Sequence, residues 1–257
     1  MQKYFNKCTK FIKKNKLLFI VILIGIILLY VNLNSDELKS NDFSKYLENK
    51  RVIIVGPADY VKKGKFIDSF DVIVRVNKGH NMIKNPLSYG SRTDILYHCA
   101  EQSEINGGPI PNDKNIKFIK FTFPKNNIYG GGEKLDQIKM KNNYKIVDED
   151  KFIDFEKKIK TMPNAGTTAI WDLLNYNIKS LHITGFTMFQ TNYNKLYREK
   201  AYGQSINTGE AALKAMTKSD NHDQKNIANY YLQDVITDNR ITYDKEFIDG
   251  INKTLSN

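Results

Sequence analysis

Cysteine is scarce in this sequence of 257 residues, which contains only Cys8 and Cys99. Cys8 lies in a basic N-terminal tail and Cys99 lies in the body of the chain, so the two thiols are not expected to meet. A disulfide-stabilised scaffold is therefore excluded, and the fold must depend on its hydrophobic core.

Acidic residues are absent from residues 1–35, whereas the first sixteen residues contain six lysines. The formal net charge of the whole chain is +11, so setting these six lysines aside leaves only +5 for the remainder. Basic charge that is concentrated in one terminal tail favours membrane topology over nucleic-acid binding. No nucleic-acid partner is expected.

Charge is also absent from residues 17–33, which read LLFIVILIGIILLYVNL. About 17 apolar residues at about 1.5 Å each reach the lower limit for crossing a ~30 Å bilayer core. With lysines before it and Asp36-Glu37 after it, this run predicts a transmembrane signal-anchor helix with a cytosolic N-terminus, as in a single-pass type II membrane protein. A cleaved signal peptide is the alternative, but no small-residue cleavage site follows the run. The predicted segments are a cytosolic tail at 1–16, the anchor at 17–33, a short stem at 34–50 and one domain at 51–257.

Short β-branched runs in that domain predict the buried strands of a parallel sheet. The first run is residues 52–55, VIIV, which ends at Gly56-Pro57, and the second is residues 72–77, VIVRVN. A third strand is predicted at residues 95–97. A spacing of roughly twenty residues is typical of strand–helix–strand units, so the expected fold class is α/β, with a mostly parallel central sheet flanked by helices. Polar residues at the strand ends of such a sheet are where ligands bind.

The G-x-G-x-x-G fingerprint is missing after the first strand, and no acidic residue closes the second strand. Both absences disfavour a nicotinamide-dependent or methyl-transfer enzyme of the Rossmann type. The triple glycine at 130–132 lacks the Lys-Ser/Thr pair of a P-loop, so residues 126–133 are predicted to be a loop.

A second informative stretch covers residues 162–186. Residues 163–168, PNAGTT, form a polar turn that is predicted to open a helix at 169–176, and a strand is predicted at 180–184. A helix N-terminus with a glycine and two hydroxyl groups provides free N–H donors and the positive end of a dipole, which suits an anion.

These two stretches resemble the large and small sialylmotifs of the eukaryotic-type sialyltransferases, glycosyltransferase family 29. The order V-G-P, I-D-S-F-D-V-I-V-R-V-N, G-S-R-T is similar to the large motif, and the turn, helix and strand that close at Gly185-Phe186 are similar to the small motif. The resemblance implies a divergent member with a Rossmann-like glycosyltransferase fold. It implies that sialic acid or a related acidic sugar is transferred from a CMP-sugar, such as CMP-sialic acid, to a glycan acceptor with inversion. It also implies that no metal cofactor is used. The location that it implies is a Golgi-type or host-cell membrane.

The resemblance carries donor-binding roles to seven positions, which are Gly56, Pro57, Asn77, Asn164, Gly166, Thr167 and Thr168. Two of these matches depart from the family pattern. Pro57-Ala58 replace an Asn-Ser pair, and Asn164-Ala165 replace a Ser-Thr pair. The second change leaves Thr167 or Thr168 as the source of a hydroxyl contact.

His222 is the candidate general base, because the last family motif is a histidine followed five positions later by a glutamate, just before a helix. Ile227 stands at the position of that glutamate. A histidine can accept the proton of an acceptor hydroxyl, and Asp223 is a candidate to orient its imidazole. The structural alternative is that His222 caps a helix at 224–236. The missing glutamate keeps a catalytically inactive, sialyltransferase-like membrane protein as an alternative.

Other polar residues have structural explanations. His98 is expected to be a strand-end residue with a local hydrogen bond, with an acceptor-side role as the alternative, and His182 is expected to be a core histidine. Asp148-Glu149-Asp150 precedes a predicted helix, so helix capping is favoured over a metal-binding role.

Two groups of residues keep two interpretations each. Tyr193 and Tyr202 fall in an aromatic-rich stretch and are either sugar-stacking or loop-packing residues. The lysines at positions 62, 63 and 65 are interpreted as a solvated face, with a role near the donor phosphate as the alternative.

Overall fold

The computed structural model describes residues 20, 24–25, 42–103, 106–126, 135–136, 138, 144–197 and 222–257. Only three positions of the predicted anchor at 17–33 are among these residues. Cys8, Tyr202 and most of the predicted loop at 126–133 lie outside them. Within the described part of the chain, no helix has both the length and the apolar character that a membrane crossing requires. The chain divides into two units, Met1–Lys45 and Tyr46–Asn257, and the second contains the sheet.

Seven strands of the second unit form one sheet in which every neighbouring pair is parallel. The strands are β1 (Arg51–Val55), β2 (Val72–Val76), β3 (Ile95–His98), β4 (Phe118–Phe121), β5 (Tyr144–Ile146), β6 (Ser180–Thr184) and β7 (Ile241–Tyr243). Their order across the sheet is β5-β4-β3-β2-β1-β6-β7. The predicted α/β class with a parallel sheet is confirmed.

Helices follow most of the strands, as parallel connections require. They are α1 (Gly64–Asp68), α2 (Pro86–Tyr89), α3 (Glu149–Ile159), α4 (Ala165–Leu174), α5 (Gln224–Tyr230) and α6 (Lys245–Ser256). A 3₁₀ helix at Asn77–Lys84 follows β2 directly, and a π-helical turn at Tyr231–Val235 continues α5.

The strand order reverses direction at β1. From β1 the chain moves outward through β2, β3 and β4 to β5, and then returns to place β6 on the other side of β1. In the register, Val55 lies opposite both Arg75 of β2 and Thr184 of β6. In open parallel sheets, ligands bind at such a switch point, outside the carboxyl ends of the strands. The topology by itself therefore predicts a ligand site at the ends of β1 and β6.

The β-branched strands are buried, which is why these runs form the centre of the sheet. Residues 52–55 are at most 1 % exposed, and strands covered on both faces need apolar side chains on both faces. One apolar cluster contains Ile53, Ile67 and Met82, and a second contains Leu96 and Phe121.

Two helices begin earlier than the sequence pattern predicts, and a cap explains each. Asn164 Oδ1 accepts a hydrogen bond from the N–H of Thr167 at 3.0 Å, so α4 begins at Ala165 rather than at residue 169. Asp148 Oδ1 accepts from the N–H of Lys151 at 3.0 Å, so α3 begins at Glu149. Asparagine and aspartate are preferred N-caps because they satisfy an orphan helical donor. The helix-start interpretation of the acidic triplet is thus confirmed.

Candidate functional site

A cavity of about 470 Å³ lies at the carboxyl ends of the central strands. Residues that follow β1, β2, β3 and β6 contribute to its wall, together with the start of α4 and the segment before α5. Among its lining residues are Pro57, Asn77, Glu101, Asn164, Gly166 and His222. Five of the eight predicted site residues therefore meet in one cavity at the switch point, although they span residues 57 to 222.

Two glycines, Gly56 and Gly185, meet where β1 and β6 end, and Gly185 forms part of the floor of the cavity. The N–H of Gly56 donates to Thr184 at 2.7 Å, and the N–H of Ala58 donates to the carbonyl oxygen of Gly185 at 3.1 Å. A Cβ atom on Gly56 would lie 2.3 Å from that carbonyl oxygen, so only glycine fits. Gly185 lines the cavity and Gly56 does not. Glycine is therefore required at position 56 by the close approach of Gly185, at the end of β6, and not by a contact with the cavity.

Asn77 enters the cavity because the chain leaves β2 in the left-handed conformation, with φ of 50°. Its side-chain carbonyl oxygen accepts a hydrogen bond from the N–H of Cys99 at 3.0 Å. Since that oxygen is engaged, the NH₂ group is the part of the amide that Asn77 can offer to a ligand.

Arg75, two residues earlier, is fully buried and does not line the cavity. Its Nε donates to Thr93 Oγ1 at 3.0 Å, and its Nη2 donates to the carbonyl oxygens of Tyr89 and Arg92. Burial lowers the pKa of its guanidinium to about 10. The arginine therefore joins β2 to the segment before β3, which gives it a structural role.

The hydroxyl groups at the start of α4 turn into the fold. Thr167 Oγ1 lies 2.8 Å from the hydroxyl of Tyr231 and donates to Asn164 Oδ1 at 3.2 Å. Thr168 is fully buried, and its hydroxyl has no partner among the described residues. Neither threonine lines the cavity, whereas Asn164 and Gly166 do. What α4 presents to the cavity is its N-terminal backbone, with the N–H groups that precede the first intrahelical bond.

The contact between His222 and Met162 sets the tautomer of the His222 imidazole. Its Nδ1 lies 2.8 Å from the carbonyl oxygen of Met162, which can only accept, so Nδ1 carries the proton. Burial lowers the pKa of this imidazole, and the hydrogen bond to Met162 opposes that shift only in part. The ring is therefore neutral near pH 7, and its Nε2 carries a lone pair that can accept a proton.

The structure does not support the alternative role of His222 as a helix cap, or the candidate role of Asp223 in orienting the imidazole. Asp223, not His222, caps α5, because Asp223 Oδ1 accepts from the N–H of Asn226 at 2.9 Å. Since that carboxylate serves as a cap, the group that orients the imidazole is the Met162 carbonyl. Ile227, at the position of the family glutamate, is fully buried in the core.

Backbone strain is concentrated around the cavity. Among the described residues, seven that are not glycine have a positive φ. Four of the seven line the cavity, namely Asn77, Met188, Phe189 and His222. Such conformations cost on the order of 1–3 kcal/mol each and cluster at functional sites. Their concentration here supports a functional role for this cavity.

An aromatic cluster forms one side of the cavity. The ring centroids of Phe189 and Tyr193 are 6.3 Å apart, and those of Tyr193 and Tyr197 are 5.3 Å apart, both in edge-to-face arrangements. All three residues line the cavity, so Tyr193 combines packing with a position at the site.

The two remaining predicted structural histidines have the expected environments. His98 is fully buried; its Nδ1 accepts from the N–H of Ala100 at 3.0 Å, and its Nε2 donates to Gly108 at 3.1 Å. Burial lowers the pKa of His98 to about 4. His182 is hydrogen-bonded to Thr242 of β7 and to Asp244, which follows that strand.

Sequence reasoning missed several lining residues, including Cys99, Glu101, Asn106, Met162 and Gln224. Cys99, Glu101 and Asn106 lie in the irregular segment after β3, while Met162 and Gln224 lie just before α4 and at the start of α5, and the topology brings all five to the cavity. In the described part of the chain, no group of three metal-ligating side chains is arranged to hold an ion. The expected independence from metal stays a prediction.

Comparison with protein-family models and with curated proteins finds no match. Among solved structures, the chain is similar to a mammalian sialyltransferase crystallised in complex with Gal-beta-1-3GalNAc-ortho-nitrophenol. The alignment has 14% sequence identity and a TM-score of 0.48, and it covers 79% of this chain and 71% of that one.

Proposed function

We propose that this protein is a membrane-anchored glycosyltransferase that transfers sialic acid, or a related acidic sugar, from a CMP-sugar to a hydroxyl of a glycan acceptor. The observation that carries the proposal is the convergence of two separate sequence stretches and His222 on one cavity at the switch point. Asn77 belongs to the stretch that resembles the large sialylmotif. Asn164 and Gly166 belong to the stretch that resembles the small sialylmotif.

Donor binding is supported by what the two stretches offer. The N-terminus of α4 carries a partial positive charge and open N–H groups, which suit the phosphate of a nucleotide. The Asn77 NH₂ group is a hydrogen-bond donor for a ligand oxygen, since its partner oxygen is already bonded to Cys99. Both features favour a ligand rich in anionic and acceptor oxygens, as a CMP-sugar is.

The state of His222 supports the role of general base. A neutral imidazole with Nδ1–H held by the Met162 carbonyl presents Nε2 as a proton acceptor. As the acceptor oxygen forms its bond to the anomeric carbon from the opposite face, the bond from that carbon to the phosphate oxygen breaks. The acceptor proton moves to Nε2, and CMP leaves with the electron pair. Inversion follows from this single displacement.

The membrane location is part of the proposal and has sequence support only. Six lysines precede an uncharged apolar run at 17–33, which favours a signal anchor in the lipid bilayer with the catalytic unit on the far side from the tail. A Golgi-type or host-cell membrane is the corresponding location.

Calorimetric titration of the full-length protein in detergent with CMP, UMP, GDP and NAD tests the donor assignment. We expect CMP to bind and the other three to bind much more weakly. Binding of NAD in place of CMP would favour a different Rossmann-type enzyme, and failure of a folded protein to bind CMP would contradict the proposal.

A catalytically inactive relative is the second candidate, because Ile227 occupies the core where the family pattern has glutamate. Release of free sugar from CMP-sialic acid separates the two. Slow donor hydrolysis supports the enzyme, whereas CMP binding without any turnover on donor or acceptors supports the inactive relative.

A further inference from the structure

Asp244, directly after β7, is a buried carboxylate with four hydrogen-bond donors. Its Oδ1 accepts from Lys63 Nζ at 2.6 Å and from His182 Nε2 at 3.2 Å. Its Oδ2 accepts from the hydroxyl of Tyr60 at 2.9 Å and from Thr184 Oγ1 at 2.5 Å. Lys63 is therefore not simply part of a solvated face. Burial alone would raise the pKa of Asp244, but the four donors together hold it well below its usual range.

Tyr60 connects this carboxylate to the cavity. While its hydroxyl donates to Asp244, it accepts a hydrogen bond from the N–H of Gly185 at 2.9 Å. Burial and the nearby carboxylate raise the pKa of the Tyr60 phenol, which therefore stays protonated and keeps donating. Gly185 has φ of 77°, and its carbonyl oxygen accepts from Ala58. Both Gly185 and Ala58 line the cavity.

The two oxygens of Asp244 thus serve different parts of the structure. Oδ1 binds Lys63 and His182, neither of which lines the cavity. Oδ2 binds Tyr60, which reaches the turn at Gly185. Both peptide groups of this left-handed residue are hydrogen-bonded, because Tyr60 accepts from the N–H of Gly185 and Ala58 donates to its carbonyl oxygen.

We propose that Tyr60 and Asp244 are positioning residues for the ligand site, because their hydrogen-bonded chain fixes the Gly185 peptide and with it the floor of the cavity. The identity of the ligand used to test this, CMP, rests on the proposed function. The two residues act through Gly185 and do not themselves line the cavity.

Tyr60→Phe removes only the bridging oxygen and is the decisive variant. Lys63→Met is the matched control, since it removes a donor to the same carboxylate on the Oδ1 side. Thr184→Val is a second control, because it removes a donor to Oδ2 and leaves the hydrogen bond from Gly185 to Tyr60 in place. The full-length protein in detergent is used, and melting temperatures show whether each variant is folded.

Two measurements are made on each variant: hydrogen exchange of the Gly185 amide without ligand, and the dissociation constant for CMP. We expect Tyr60→Phe to speed exchange at Gly185 and to weaken CMP binding, each by about tenfold, because the amide loses its acceptor. Both controls should leave the two values within about twofold, even where they lower the melting temperature.

Unchanged Gly185 exchange in Tyr60→Phe, or an equal increase in Lys63→Met, would overturn the inference. Faster exchange in Tyr60→Phe with wild-type CMP affinity would also overturn it. If the wild-type protein does not bind CMP, the proposed function fails, and the exchange measurement alone then decides whether Tyr60 holds the Gly185 peptide.

Discussion

Arg75 and Asn77 are separated by one residue in the same motif, yet they have different environments. Arg75 is fully buried and bonded to the segment before β3, whereas Asn77 lines the cavity. The difference arises because Arg75 is inside β2, while Asn77 follows the strand and turns away with a positive φ. A sequence signature of this kind mixes residues that build the fold with residues that line the cavity.

The start of α4 repeats this contrast. Asn164 and Gly166 line the cavity, while the hydroxyl groups of Thr167 and Thr168 are buried in the fold. Substitutions within one stretch should therefore separate into effects on ligand or catalysis and effects on stability.

Among substitutions of residues that line the cavity, His222→Asn should have the largest effect on turnover. Asparagine tolerates the left-handed backbone at this position but cannot accept a proton. We expect the rate of sugar transfer, or of donor hydrolysis, to fall by about 10²–10⁴-fold. Steady-state kinetics with CMP-sialic acid measures it. His182→Gln is the control, and a comparable loss of turnover in that variant would contradict the assignment.

Among substitutions of residues that do not line the cavity, Arg75→Met should have the largest effect on stability. It leaves the carbonyl oxygens of Tyr89 and Arg92 and the Thr93 hydroxyl without their buried donor. At about 1–3 kcal/mol for each unsatisfied group, the free energy of unfolding should fall by about 3 kcal/mol or more. Denaturant unfolding measures this.

Arg51→Met is the control for Arg75, since Arg51 is exposed and its ion pair with Asp71 is on the surface. Its loss should cost about 1 kcal/mol or less. If the folded Arg75→Met protein lost CMP affinity without losing stability, the contrast between Arg75 and Asn77 would be wrong.

Asn77→Gly should give a smaller, ligand-specific effect. Glycine keeps the positive φ and removes only the amide, so CMP affinity should fall by about tenfold, the value of one hydrogen bond. Asn49→Gly is a matched control, because Asn49 also has a positive φ but does not line the cavity. Equal CMP dissociation constants for the two variants in calorimetry would contradict a ligand role for Asn77.

The pH dependence should give the smallest effect. Burial lowers the pKa of His222, so the acidic limb of kcat/KM should lie below the ordinary histidine value of about 6.5. The unfolded chain takes up this proton first as the pH falls from about 6.5 towards the lowered pKa, so folded stability is lost in that window. Melting temperatures at pH 7 and pH 5 should therefore differ less in His222→Asn than in the wild type. An equal or larger difference would show that His222 is not buried in its neutral form.

The sequence by itself determined the features that depend on local patterns. Buried β-branched runs predict the parallel strands, polar residues at their ends predict the ligand edge, and the motif stretches predict the cavity residues Asn77, Asn164 and Gly166. Helices α3 and α4 begin earlier than the pattern predicts because Asp148 and Asn164 cap them, and the pattern does not show which N–H each side chain accepts from.

Only the tertiary structure decided which atom each polar side chain meets. Tyr60 lies 125 residues from Gly185 and 184 residues from Asp244, and no pattern along the chain indicates that their atoms are within 3 Å. The orientation of the His222 imidazole likewise depends on the carbonyl oxygen of Met162, which is 60 residues away. Hydrogen bonds are short and directional, so partners that are distant in sequence are selected by the packing of the whole sheet.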